Sequence, residues 1–455
     1  MMRGKVTAVD ASGVYVQTAE YGTLGPLPWL GTKPAVGASV LLDDTGGNPA
    51  TPDLVVLGGA SVRDFGARGD GVTDDTAALQ SALDAVSAVH GTLIVPHGIY
   101  RTTATLFPRS DTTISGPGVI DGHVLDTDDH NAGQDPVIYI LADDVHIEGI
   151  TIVGNKAEYA AATEFKHGIS IASSNRVTIR DVTTTDNKGD GVCVMAGSGI
   201  GSGNGDPCTQ IVLDNVTAEY NHRQGLSVTS AIGLRVVGGS YSYTSGTAPQ
   251  SGIDIEPDID EHVIDAVDIV DVAAVGNAGS GVIIVCRDGS DCRNVRISGG
   301  RIADNAMHGV GLYRDNRLVT IESVTIEGNT GSGVEAVGTK LDGLRIVGNI
   351  IRGNGTEGVK LYLPAVAVTG LSITGNLILD NSTDTTKSGV LVDVAGPVMT
   401  GWNVIGNAAG TGNQTYGITT TSNVTAETHI ANDLAGNDTG EASYAAAAQA
   451  IIVPT

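Results

Sequence analysis

GLSVT (225–229), GIDIE (252–256) and GVIIV (281–285) are three of ten copies of one short phrase, a Gly followed by alternating apolar and variable residues. The copies begin at Gly168, Gly191, Gly225, Gly252, Gly281, Gly309, Gly333, Gly358, Gly389 and Gly417. Their mean spacing is about 28 residues, the range in which a repeat means a solenoid. Period-two alternation is the mark of a strand, so each phrase reads as one strand of a coil stacked about 4.8 Å from the next.

A second block precedes each Gly, for example VTIRDVTTTDN (177–187), VTIESVTIEGN (319–329) and LRIVGNIIRGN (344–354), and reads as strand, bend, strand, turn. Most blocks end in Asn four residues before the Gly, at Asn187, Asn221, Asn277, Asn305, Asn329, Asn354 and Asn413. Stacked turn asparagines can hydrogen-bond up the axis as a ladder, and Gly after them would supply the positive φ of a tight turn. The expected fold is all-β: a single-stranded parallel β-helix of about a dozen coils, right-handed because parallel connections default to that hand.

Composition agrees. The chain has 63 Gly for turns, 41% hydrophobic residues and only 3 Phe and 2 Trp, as a thin core of stacked aliphatic side chains requires. A solenoid adds coils without enlarging one core, so 455 residues need not mean several compact domains. The division we expect is a small β unit over residues 1–58, the opening of the β-helix with a capping helix over 59–125, the β-helix over 126–430, and a C-terminal cap or oligomerisation tail over 431–455.

The net charge of −26 disfavours nucleic acid and anionic membranes as partners. No 18-residue apolar run offers a membrane span, and MMRGKVTAVDASGVYVQ lacks the apolar stretch of a secretory signal. The four Cys form two close pairs, Cys193 with Cys208 and Cys286 with Cys292, each bracketing a Gly-rich loop; bridged and reduced states both remain open. Residues 1–58 carry short strands broken by Gly and Pro and read as a small antiparallel barrel.

Residues 62–107 contain FGARGDGVTDDTAAL, a helical stretch, and LIVPHGIY. This tenth of the chain resembles the opening of the pectate-lyase superfamily, which includes phage tailspikes and polysaccharide-acting β-helix proteins. Thr73 or Asp74 would cap a helix running to about Val89, with Ala77, Leu79, Leu83 and Val86 as its apolar contacts. That helix would cover the exposed edge of the first coil, and Asp70, Asp74 and Asp75 read as turn and cap chemistry. Residues 1–58 look like the OB-like modules of phage tail and baseplate proteins. The resemblance implies a tail-associated depolymerase, a homotrimer, and a location on a virion tail or, alternatively, secretion. The catalytic set of galacturonan hydrolases is missing, since Asn187 is followed by Lys188 and Gly189 rather than Thr-Asp, and neither Gly-His-Gly nor Arg-Ile-Lys occurs.

Where the repeat varies, it points to a site. The segment before Gly252 is lengthened around TSGTAPQS (244–251), and the connections after Gly191, Gly252 and Gly281 are long. Length variation in a repeat protein marks its functional face. Alternation places the second and fourth residues after each Gly outside, which makes Asp254 and Glu256 an outward pair of acids with Asp258 next to them. Roughly 6.5–7 Å separates two residues on one face of a strand, the lower end for an inverting glycosidase pair. We therefore expect Asp254 and Glu256 as acid and base, with Asp258 supporting, and no cofactor. The other readings of these acids are a Ca²⁺ site with Asp258 and Asp260, or a solvated face. His222, Arg223, Arg287, Asp288, Tyr313 and Arg314 are the expected substrate contacts, by charge pairing and by stacking on sugar rings. His167 and His308, each just before a phrase Gly, read as turn packing. Hydrolysis, β-elimination with Arg287 on the same groove, and non-catalytic receptor binding are the three functional readings.

Overall fold

The computed structural model describes residues 2–452 apart from 19–21, 28, 31–35, 37–38, 45–53, 58, 89, 124–134, 159–164, 198–204, 288, 384–385, 402, 407–413, 425 and 445–450. Each Gly-led phrase is a strand, and each pairs in parallel and in register with the next copy: Leu226 with Ile253, Ile253 with Val282, Val282 with Val310, Val310 with Val334. The preceding blocks supply two further strands per coil, one set of which forms a thirteen-stranded parallel sheet. The result is a parallel β-helix of about twelve turns. Its core is a stack of Ile, Val and Leu rows, among them Ile169, Val192, Leu226, Ile253, Val282 and Val310, each fully buried.

The phrase Gly has a different physical reason from the one expected. Gly252 and Gly309 do not adopt positive φ. A Cβ on Gly252 would lie 2.7 Å from the carbonyl oxygen of Gly281, and one on Gly309 would lie 2.5 Å from that of Gly333. Coil-to-coil approach, rather than turn geometry, forbids a side chain there.

The Asn ladder is present. Asn305 Nδ2 donates to Asn329 Oδ1 at 2.8 Å, Asn329 to Asn354 at 2.9 Å and Asn354 to Asn381 at 2.9 Å. Asn381 then donates to Gln414 Oε1, so Gln414 is the rung at the height assigned to Asn413, which lies outside the described residues. At Thr244 the ladder changes residue type, with Thr244 Oγ1 donating to Asn277 Oδ1 at 2.9 Å. A second ladder, Asn349 to Asn376 to Asn403, runs through the later coils and was not anticipated.

The helix spans Thr76–Ser87, with Leu79, Ala82, Leu83 and Val86 buried against the first coils. Ala77 is exposed, so Ala82 takes the contact expected of it. Asp75, rather than Thr73 or Asp74, holds the cap position, and its carboxylate accepts the Arg68 and Gly69 amides instead of capping the helix. Asp70 accepts the amides of Val72 and Thr73, and Asp74 that of Thr76, so all three acids serve turns.

The N-terminal strands form one six-stranded sheet in the spatial order Gly22–Leu27, Val14–Thr18, Met2–Val9, Ser39–Asp44, Leu54–Leu57, Trp29–Leu30. Its pairings are antiparallel except the last, and no pairing among the described residues closes it into a barrel. Cys286 and Cys292 are bridged, whereas Cys193 and Cys208 are free. The free pair falls in different packing clusters. Cys208 belongs to the main core, and Cys193 packs outside it with Tyr139, Ala172 and Met195.

Candidate functional site

Asp254 lies on strand Ile253–Ile255, with its neighbours Ile253 and Ile255 in the core and its own side chain on the outer surface of the sheet. Yet Asp254 is only 2% exposed. Outward does not mean open here, which corrects the expectation of two solvent-facing carboxylates. Arg223, Ser227, Thr229, Glu256 and Asp258 line a small, partly open cleft beside it, with room for about one water molecule.

The row just before the phrase Gly is hydrogen-bonded to residues of this cleft. Asp190 is fully buried; it accepts the Gln224 amide at 3.0 Å and the Arg223 guanidinium at 3.2 Å. Gln224 Nε2 in turn donates to Asp254 Oδ2 at 2.8 Å. The other oxygen, Asp254 Oδ1, is buried without a hydrogen-bond partner, as are Gln224 Oε1, Thr229 Oγ1 and Asp258 Oδ2. Buried polar atoms are nearly always paired, and a local concentration of unpaired ones calls for a bound molecule or chemistry.

Burial pushes the Asp254 carboxyl well above the usual carboxylate range, and the Glu256 charge adds to this; Arg223 and the Gln224 hydrogen bond oppose it. Burial, then Glu256, raises Asp258 to about 6. Protonated, Asp254 would carry its hydrogen on the oxygen that now lacks a partner.

The expected contacts divide. Arg223 lines the cleft beside Asp254. His222 does not, because the loop 244–251 packs over it, so close that a Cβ on Gly246 would lie 2.0 Å from its Nδ1. Arg287 stands outside the cleft, pairing with Asp260 Oδ1 at 2.9 Å and donating to the Asp258 carbonyl at 2.8 Å, the two residues that the alternative Ca²⁺ reading adds to the acid pair. Asp288 lies outside the described residues. Tyr313 and Arg314 sit two coils away, Tyr313 with its ring over Gly311 and Arg314 exposed in left-handed backbone.

His167 and His308 behave as turn residues, their Nδ1 atoms accepting the amides of Asp190 and Ser332 at 2.9 and 3.0 Å. His167, Asp190 and Cys193 bring ligand-type atoms within 4.8 Å of one another. They do not fit a metal: Nδ1 of His167 is taken by an amide, which leaves the proton on Nε2 and no nitrogen lone pair to coordinate. Burial lowers His167 to about 4, in keeping with a neutral ring. Asp190 and Gln224 were missed by the sequence reading. The signal that could have found them is the polar row preceding each Gly, His167, Asp190, Gln224, Ser251, Ser280, His308 and Ser332.

Residues 59–244 match the model of the rhamnogalacturonase A/epimerase, pectate lyase-like family. The shaft has the pectate-lyase-like fold. The A-module of mannuronan C-5 epimerase AlgE4 from Azotobacter vinelandii superposes with a TM-score of 0.60 over 86% of this chain and 99% of that one, at 21% identity. The Dettilon tailspike protein gp208 superposes with a TM-score of 0.55 over 85% of this chain and 68% of that one, at 14% identity. In sequence, mannuronan C5-epimerase AlgE1 of the same Azotobacter species is 28% identical over 273 residues, 55% of this chain. The chain aligns with only 18% of AlgE1's length. No described helix is long and apolar enough to cross a membrane.

Proposed function

We propose that the protein binds and cleaves a cell-surface polysaccharide on the Asp254 face, by acid and base catalysis with two carboxyl groups. Asp254 gives its proton to the glycosidic oxygen as the bond to the sugar breaks. Glu256 takes a proton from the water that attacks the anomeric carbon. Asp258 keeps the field at the pair negative, and the reading requires no cofactor. The observation that carries it is the Asp254 carboxyl, 2% exposed, held through one oxygen by Gln224 and unpaired at the other beside a space of about one water. A carboxyl in such surroundings keeps its proton where a free one ionises, as a general acid must.

The match to a saccharide-processing family model and the epimerase relatives support a sugar polymer as the ligand. The tailspike among the fold's neighbours supports a virion tail as the location, and the proposal takes in a homotrimer and an attachment role for residues 1–58. A second reading, receptor binding without cleavage, draws on the burial of Asp254, which is only 2% exposed. β-Elimination would use the same face, with Arg223 neutralising a sugar carboxylate.

Incubation with host-surface polysaccharide separates the three. New reducing ends without ultraviolet-absorbing unsaturated products mean hydrolysis, unsaturated products mean elimination, and binding with neither means a receptor protein. Asp254→Asn and Glu256→Gln should each lower cleavage by about 100-fold or more, on the scale of a lost general acid or base. Wild-type rates in both variants would sink the pair.

A further inference from the structure

The turn that carries Asp258 is held at both of that residue's backbone groups by side chains, and neither side chain belongs to the proposed chemistry. Asp258 follows Pro257 in the turn 257–262, which leaves the strand Ile253–Ile255 and returns as the strand Val263–Asp265. Its amide donates to His262 Nδ1 at 3.2 Å, and its carbonyl accepts from Arg287 Nη1 at 2.8 Å. An amide can only donate, so Nδ1 of His262 carries the lone pair and the ring proton sits on Nε2. His262 is 3% exposed, and burial lowers it below its ordinary range against the pull of Glu261, which keeps the ring neutral and Nδ1 an acceptor.

Arg287 comes from the next coil. Ile255 pairs with Ile284 and Val263 with Asp291, so the loop 287–290 stacks on the turn 257–262. Arg287 Nε donates to Asp260 Oδ1 at 2.9 Å while Nη1 holds the Asp258 carbonyl, a two-point grip across the turn. The loop is itself constrained. The Arg287 carbonyl accepts the Ser290 amide at 3.1 Å and the Ser290 hydroxyl at 2.7 Å, and the bridged Cys286 and Cys292, each 1% exposed, anchor both ends of the loop in the core. A Cβ on Gly289 would lie 3.2 Å from Asp260 Cγ, so the loop packs directly on the turn. Beyond this grip the Asp258 side chain lines the cleft with Glu256, its Oδ2 buried and unpaired.

We infer that Arg287 and His262 are positioning residues for Asp258: the bridged loop of one coil and the buried ring of the turn fix the Asp258 backbone, and through it the place of its carboxyl in the cleft. Arg287, expected as a substrate contact, is committed to the protein instead. The effect on cleavage rests on the two-carboxyl reading of the cleft, whereas the grip does not.

The test joins residue-level amide hydrogen exchange on the full-length protein with cleavage of host-surface polysaccharide. Arg287→Lys keeps the charge, but an ammonium is a single point and cannot hold Asp260 and the Asp258 carbonyl as the guanidinium fork does. The Arg287 side chain is 47% exposed, so folding is not at stake in that variant. His262→Leu removes the acceptor, and His262→Asn returns one near the place of Nδ1. The Asp258 amide should exchange about tenfold faster in Arg287→Lys and His262→Leu and within about twofold of wild type in His262→Asn. The Ile253 amide, which donates to the Gly281 carbonyl at 3.0 Å, is the control and should not change. Cleavage should follow the same order, with kcat down about tenfold and KM little changed in the first two variants and recovered in His262→Asn. Wild-type exchange at Asp258 in both Arg287→Lys and His262→Leu overturns the grip. Faster exchange with wild-type kcat overturns the positioning role and leaves the cleavage reading in place. Faster exchange in a protein whose wild type releases neither reducing ends nor unsaturated products upholds the grip and removes the cleavage reading.

Discussion

Asp254 and Glu335 occupy the same position of the same repeated strand, three coils apart, and the protein treats them in opposite ways. Glu335 is buried and fully paired, and its carboxyl sits at about 2: burial pushes it up, but the hydrogen bonds from His308 and Lys360 pull it further down. Asp254 is more deeply buried, has one neutral donor and one unpaired oxygen, and is pushed up. Burial is common to both, so burial alone does not make an acid reactive. The difference is whether neighbouring coils supply cations at hydrogen-bonding distance.

The largest expected contrast is in stability. Lys360→Ala leaves Glu335 buried without its ammonium partner and should cost about 3 kcal/mol in denaturant unfolding, the lower part of the range for breaking a buried pair. Asp254→Asn removes a group that is already poorly satisfied and should be neutral or stabilising by about 1 kcal/mol. Equal destabilisation by both would break the comparison.

The pH dependence sharpens it. Asp258, raised to about 6 from an ordinary 3.8, holds more protons folded than unfolded between those values. Stability should therefore fall as pH rises from 3.8 towards 6, and Asp258→Asn should flatten that slope. Glu335 acts with the other sign. Its contribution is complete above its ordinary 4.5 and is lost as pH falls towards 2. Denaturation series across acid pH in the wild type and in Asp258→Asn and Glu335→Gln read both slopes.

The smallest expected effect is Tyr313→Phe. Its hydroxyl is 3.5 Å from Glu335, a weak bond beside two strong ones, so stability should change by less than about 0.5 kcal/mol.

Much of the fold was legible in the residues. The Gly-led phrases located the strands, the turn asparagines located the ladder, and alternation assigned Ile253 and Ile255 to the core with Asp254 on the other side. The site was legible as a place rather than as a mechanism. Asp254, Glu256, Asp258 and Arg223 do meet in one cleft, while His222 is covered by a loop and Arg287 is spent on Asp260. Asp190 and Gln224 escaped notice because each is 34 or 30 residues from its partner, one full coil, and only stacking makes them neighbours.

The sequence by itself determined the coil, its register and the faces of its strands, because these follow from local periodicity and from the one residue without a Cβ where an added Cβ would lie 2.7 Å from a carbonyl oxygen of the next coil. Tertiary structure alone decided which outward acid is unpaired and which is held by an ammonium. Hydrogen-bond satisfaction depends on side chains one coil away along the axis, and the repeat gives their height but not their reach.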